Sequence, residues 1–402
     1  MSRPTLALIP TAFKAGKLYS VLPGGGSGDF TVSRNGAGTF IGQDGFIKTA
    51  LANEPRFEYN SDGSFKGVLV EPAATNLVPN INTFNTIGSG GALPPIITNN
   101  YAISPGGLQN ASRFQFNLNG SNSSSDRSLI NKAFISTVMG SNYTGSVYLK
   151  ATTPSEVGKT IRFITEQITG STLIYTLTSE WQRVSVSGSA NDLDANFLIE
   201  IRGAVTDSDT LDCLIWGNQM ELGAVATSYI STTTIQVTRP ADVITRDNAQ
   251  DLIGQTEGTV FIDYVKINLQ SGANTILSIA ANNSNLNNTI AIFNGIGSSG
   301  AGRILIQVRF SQTWIVDGLG QTSISPSGRY KICLTYSSTQ IKLFINGILI
   351  RTDTHNLVPS EVFSVIDLGS RNNSLNGNGL TKKLLLSKTA LTESEAIAIT
   401  TL

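Results

Sequence analysis

Short alternating apolar runs recur along most of this chain and constrain its fold more than any other feature. RFQFNL, GSVYLKA, IRFITEQI, STLIYTL, WQRVSVSG and NFLIEIRG follow one another about ten to fifteen residues apart, with Gly, Ser and Asn between them. Side chains alternate across a strand, so a period of two at this spacing predicts a sandwich or jelly roll and argues against a helical fold. Trp181, Val184 and Val186 break strict alternation, which predicts a bulge or a strand start near Arg183. A second series opens near Thr256 with GTVFIDYVKI and continues through TILSIA, NTIAIFN, RILIQVRF, WIVDG, RYKICLTY, IKLFINGILI and VIDLGS. There Asn346-Gly347 stands between two strand-like runs, and its tolerance of positive φ predicts a tight hairpin. One helical stretch closes the chain, TESEAIAITTL, with Thr392 and Glu395 spaced as a capping box.

A chain of 402 residues exceeds what one core usually serves. Residues 1–79 are irregular, with PGGGSGD and short β-like pieces such as DFTVSRNGAGTFIG and GVLVEP. They hold few apolar residues for a core of their own, so they read as an extended anchoring or oligomerisation arm that orders against another chain. A low-complexity link, NINTFNTIGSGGALPP, opens the jelly-roll domain over 80–240, and a second sandwich occupies 241–402. The expected fold class is all-β: an N-terminal arm, two β-sandwich domains and one short C-terminal helix.

Basic and acidic residues balance at 28 each and are scattered, so no overall field exists to hold nucleic acid or an anionic membrane surface. No apolar stretch approaches the roughly 20 residues that cross a bilayer, and no secretory signal is recognisable, so production in the cytoplasm is expected. Cys213 and Cys333 each sit in an apolar run and read as buried free thiols. His355, the single histidine, lies in a polar turn and reads as a solvated side chain, which leaves no metal centre to expect. GGGSG at 24–28 lacks a following Gly-Lys-Ser/Thr or helix, so it is a turn and not a phosphate cradle, and no cofactor is implied.

Three stretches resemble a family of tailed-bacteriophage head-fibre and tail-fibre proteins. The first, 33–78, carries Pro55-Arg56-Phe57-Glu58-Tyr59, Gly67-Val68-Leu69-Val70-Glu71 and Thr75-Asn76-Leu77. The second, 214–243, carries Trp216-Gly217, Gln219-Met220-Glu221 and Thr227-Ser228-Tyr229-Ile230, and resembles the end of a carbohydrate-binding-module-like jelly roll. The third, with RYKICLTYSSTQIKLFINGILIRT, Gly369-Ser370-Arg371 and Leu391-Thr392-Glu393-Ser394-Glu395, is similar to a laminin-G or concanavalin A-like sandwich. The resemblance implies a virion structural protein, a surface appendage bound to other virion proteins through its N-terminal arm, with a homotrimer favoured. It also implies attachment to a host-surface glycan. The alternatives are a depolymerase of the host capsule and a capsid decoration without receptor binding.

Glycan hydrolysis needs two carboxylates flanking the scissile bond. Asp263 and Glu200 each stand singly on an alternating strand, where a salt bridge or an outward face is the expected role, so the protein reads as a non-enzyme. Sugar binding asks only for an aromatic ring and a few amides or carboxylates. Trp314 and Asp317, with Asn372, Asn373 and Asn376 in the following turn, form the candidate rim, the alternative being that Trp314 packs in the core. Trp216 reads as core. Asp207, Asp209 and Asp212 read as solvated loop acids and not a calcium site. An N-terminal anchor puts the last sandwich farthest from the particle, so adhesion is expected there.

Overall fold

The computed structural model describes residues 3–79, 85–86, 92–267, 273–282, 286–296, 302–324, 328–371, 374 and 377–402. It is all-β apart from a short 3-10 turn and one helix, Glu393–Thr400, among these residues. Two compact units divide the chain. One is discontinuous, Met1–Gly45, Thr49–Ala73 and Pro240–Leu402; the other is Phe46–Lys48 with Ala74–Arg239. The second unit is thus inserted in sequence between two parts of the first.

The inserted unit stacks two six-stranded sheets. One runs Asn85–Thr86, Arg127–Ser136, Asp194–Arg202, Thr160–Glu166 and Thr172–Thr176, with Ala92–Leu93 also on Arg127–Ser136. The other runs Ile96–Ile103, Gln109–Asn117, Thr210–Leu222, Asn142–Ala151, Gln182–Ala190 and Ile168–Thr169. Alternation puts Ala195, Phe197, Ile199 and Ile201 inward from one sheet, to meet Phe114, Phe116, Val147 and Cys213 from the other. Trp216 is buried between Tyr148 and Tyr229, as its place in the strand predicts.

The discontinuous unit packs an eight-stranded sheet on a nine-stranded one. In the latter, Gly302–Phe310 sends Ile304, Ile306, Val308 and Phe310 fully into the core while the intervening residues stay half-exposed. Each such aliphatic side chain contributes about 1.5–3 kcal/mol by leaving water. Val260, Ile262, Tyr264, Leu334 and Leu384 meet them from the eight-stranded sheet. The opposite face of that sheet, at Phe261, Cys333 and Phe344, is covered by the C-terminal helix through Ala396. The helix starts on the capping box expected of Thr392 and Glu395. Asn346 and Gly347, at φ 49° and 81°, form the expected hairpin between Gln340–Ile345 and Ile348–Thr354.

The first 79 residues depart from the sequence reading. They are not an arm awaiting another chain. Leu6–Leu8 and Phe65–Val70 both pair with Gly379–Ser387, and Phe30–Ser33 pairs with Val243–Arg246. Leu6, Leu8, Leu18, Phe30, Val32, Val68 and Val70 join the same core as the C-terminal strands. The apolar residues were too few for a separate core and are enough to complete a shared one. Two consequences follow for the expected assembly: the need for a sister chain that favoured a trimer is gone, and most of the N-terminal segment belongs to one unit with the last sandwich, so the argument placing that sandwich farthest from an anchor no longer applies.

Beside the insertion points in sequence lies a buried ion cluster within the discontinuous unit. Arg34, Arg56, Glu71 and Asp242 are all buried, two cations with two carboxylates. The Arg34 Nη1 donates to Asp242 Oδ1 at 2.9 Å, and its other N–H groups reach Gly36 O, Ala50 O, Leu51 O and Glu54 O. Arg56 donates to Glu71 Oε2 at 2.7 Å, to Thr39 O and to both oxygens of Asp242. Burial by itself lowers the Arg56 pKa, but Asp242 and Glu71 more than offset this and the net shift is upward.

Candidate functional site

A helix covers the outer face of the eight-stranded sheet, and the outer face of the nine-stranded one carries a polar constellation around Trp314. The residues that alternate outward from Gly302–Phe310 include Gln307 and Arg309, and the strand turns at Ser311 and Gln312, both at positive φ. The return strand Thr313–Ile324 sets Trp314 opposite Arg309 and Asp317 opposite Gln307. Trp314 is 37% exposed, so its ring lies on this face and not in the core. The Arg309 guanidinium sits 5.1 Å from the ring centroid, and its Nε donates to Gln312 O at 2.9 Å.

Arg371 enters from the loop after Val365–Leu368. Its guanidinium lies 5.3 Å from the Phe293 centroid and 5.8 Å from that of Trp314. Its Nη1 donates to Gln307 Oε1, and Gln307 Nε2 donates to Asp317 Oδ1 at 2.7 Å. One hydrogen-bonded chain therefore links Arg371, Gln307 and Asp317 beside an indole. Among the described residues, the buried Nε and Nη2 of Arg371 have no partner. Burial lowers the Arg371 pKa; Asp317 opposes that and the like charge of Arg309 adds to it, leaving the net direction downward.

The structure thus brings the expected Trp314 and Asp317 into one constellation. Asn372, Asn373 and Asn376 lie outside the described residues. Sequence reasoning passed over Gln307, Arg309 and Arg371. Gln307 and Arg309 are signalled by the polar alternation within RILIQVRF, and Arg371 by its place in the Gly-Ser-Arg motif.

Asp367 stands on the same outer face, opposite Thr245 and Ser278, and is buried. Burial raises its pKa to about 6 from the usual 3.8, against a hydrogen bond from Thr245 and with the help of Asp247. Below pH of about 3 both folded and unfolded chains carry it protonated. As pH rises toward 6 the unfolded chain ionises first, so this contribution to stability is lost across that window. Asp367→Asn is expected to flatten this slope and to stabilise the protein at pH 8 by roughly 2 kcal/mol. Denaturant unfolding at pH 4 and pH 8 checks it, and an unchanged slope in the variant would count against it.

Several other titratable groups are engaged in structure. Glu200 is paired with Arg162 and Arg202, and Asp263 with Arg329, the salt bridges their isolated strand positions predict. Asp212 is held by Arg113 and accepts from Thr152, so it is not simply solvated. Cys213 and Cys333 are buried free thiols as expected, and burial pushes Cys333 up to about 12. His355 differs from expectation: it is half-buried edge-on to Phe310 with centroids 5.8 Å apart, and its Nδ1 accepts from Leu357 N at 3.1 Å. Burial lowers its pKa, because the charged ring would lose water.

No family model and no curated protein matches the sequence. Solved structures overlap parts of it. Ruminococcus gnavus IT-sialidase CBM40 shares 19% identity over 37% of this chain and 84% of its own, with a TM-score of 0.30. Domain 4 of a GH43 extracellular arabinanase from Geobacillus stearothermophilus shares 15% over 44% of this chain and 82% of its own, at 0.31. The leech intramolecular trans-sialidase shares 18% over 37% of this chain and only 23% of its own, at 0.31. Overlaps this shallow say nothing of function.

Proposed function

We propose that this protein is a non-enzymatic, glycan-binding structural component of a tailed-bacteriophage particle, and that it binds sugar on the outer face of its nine-stranded sheet. The observation that carries the binding reading is Trp314: an indole more than one-third exposed, flanked by two guanidiniums and by the Gln307–Asp317 pair. An aromatic face covers the apolar side of a pyranose, and amide, carboxylate and guanidinium groups satisfy its hydroxyls. The virion assignment draws its support from the sequence resemblances at 33–78 and 214–243.

Trp314→Ala is expected to weaken binding to host-surface polysaccharide by about 1–3 kcal/mol, the loss typical of an exposed aromatic anchor. The melting temperature should move little, because the ring is not part of the core. Calorimetric titration beside thermal melting checks both halves, and a large melting shift without a selective binding defect would refute the platform role. Incubation of the protein with that polysaccharide, followed by reducing-end measurement, tests the non-enzymatic half. Sustained release would favour a depolymerase. Detection of the protein in purified infectious particles tests the virion half, and its absence there would remove it.

A further inference from the structure

The outer face carries more positive charge than sugar hydroxyls require. Arg309 and Arg371 approach one indole within 6 Å of its centroid, and neither forms an ion pair among the described residues. The acid beside them, Asp317, is tied to Gln307. Two guanidiniums on a partly dried surface repel each other, and a neutral ligand would leave that repulsion in place. Among the described residues Arg371 gives Nη1 to Gln307, while its buried Nε and Nη2 have no partner. A guanidinium offers five donors in a planar fork that suits a carboxylate or a sulfate oxygen pair.

Resting on the glycan-binding reading above, we infer that the preferred ligand is an acidic glycan, whose carboxylate or sulfate lies toward Arg309 while its sugar ring stacks on Trp314. Arg309 is half-exposed and makes the direct contact. Arg371, seated deeper over Phe293, acts through its charge and by holding Gln307. Asp317 opposes the anion from the other end of the Gln307 bridge and sets an upper limit on affinity.

The test uses the full chain and three oligosaccharides that differ only at the sugar C6: neutral hydroxymethyl, uronate and 6-sulfate. The acidic forms are expected to bind roughly tenfold or more tightly than the neutral one, the worth of one charge-assisted hydrogen bond. That margin should shrink as salt rises from about 50 to about 500 mM. Arg309→Gln should erase the preference, Arg309→Lys should keep part of it, and Asp317→Asn should enlarge it. Asn retains the oxygen that Gln307 donates to, so Asp317→Asn decides the matter even if Arg309→Gln fails to fold. Preference for uronate alone identifies a carboxylate, and for sulfate alone a sulfate; both outcomes support the inference. Equal binding of neutral and acidic forms overturns it while the glycan reading stands. Binding of none of the three overturns both. An acid preference untouched by Arg309→Gln and Asp317→Asn overturns it as well, by placing the anion elsewhere.

Discussion

Replacing Asp242 with alanine is expected to destabilise the discontinuous unit by about 3–5 kcal/mol, the cost of leaving a buried charge without its partner. Asp242 is the shared acceptor of two fully buried guanidiniums, Arg34 and Arg56, and its Oδ2 also accepts from Glu71 N at 2.9 Å. Without it the cluster holds two cations and one carboxylate in a region water does not reach. Asp242→Asn keeps the shape and should lose most of the same free energy, because the deficit is one of charge. Urea unfolding checks the prediction: the midpoint should fall while the slope stays constant. A loss below about 1 kcal/mol would mean that water enters the cluster and compensates the charge.

Phe197→Ala is expected to cost about 3–5 kcal/mol in the inserted unit, through lost burial and the cavity left behind. Phe197 and Phe163 are both fully buried, with centroids 4.8 Å apart. The space around them is already filled: a Cβ on Gly145 would meet Phe163 at 3.1 Å and Thr165 at 2.7 Å. The two units have separate cores, so calorimetry of the wild type should resolve two transitions. Phe197→Ala should then lower one of them and Asp242→Ala the other. Equal movement of both in either variant would show that the cores unfold as one.

Much of the fold was legible because it rests on period-two alternation. Phe197, Ile199 and Ile201, or Ile304, Ile306 and Val308, declare an inward face with no knowledge of what lies opposite. The role of residues 1–79 was not legible for a matching reason. Leu6–Leu8 is three residues long, and nothing local reveals that its partner is Gly379–Ser387. The motifs that carried the phage resemblance hold structural roles. Arg56, Glu71 and Asp242 form the ion cluster, while Asn76 spends its side chain on Val78 N, Met220 N, Ile230 O and Asn218 O. Likewise Glu221, its pKa raised by burial, accepts from Gln219 and Thr227. Of the candidate site, the aromatic residue and one acid were visible in sequence. Arg309 was signalled by the alternation of its strand, whereas Arg371 was not placed, because it reaches Trp314 only through a loop closure that alternation does not encode.

The pairing of the first strand with a late one fixes a timetable for biosynthesis. The Thr5 N–H finds its acceptor, Leu386 O, 381 residues downstream. At roughly 5–20 residues per second, the ribosome needs on the order of 20–80 s to deliver that partner. The inserted unit is complete in sequence by Arg239 and is free to close well before then. Meanwhile the N-terminal strands wait with open edges and uncovered leucines, a state that invites pairing with a neighbouring nascent chain. Yield in a producing cell should therefore track how well that interval is chaperoned or shortened, independently of how stable the finished protein is.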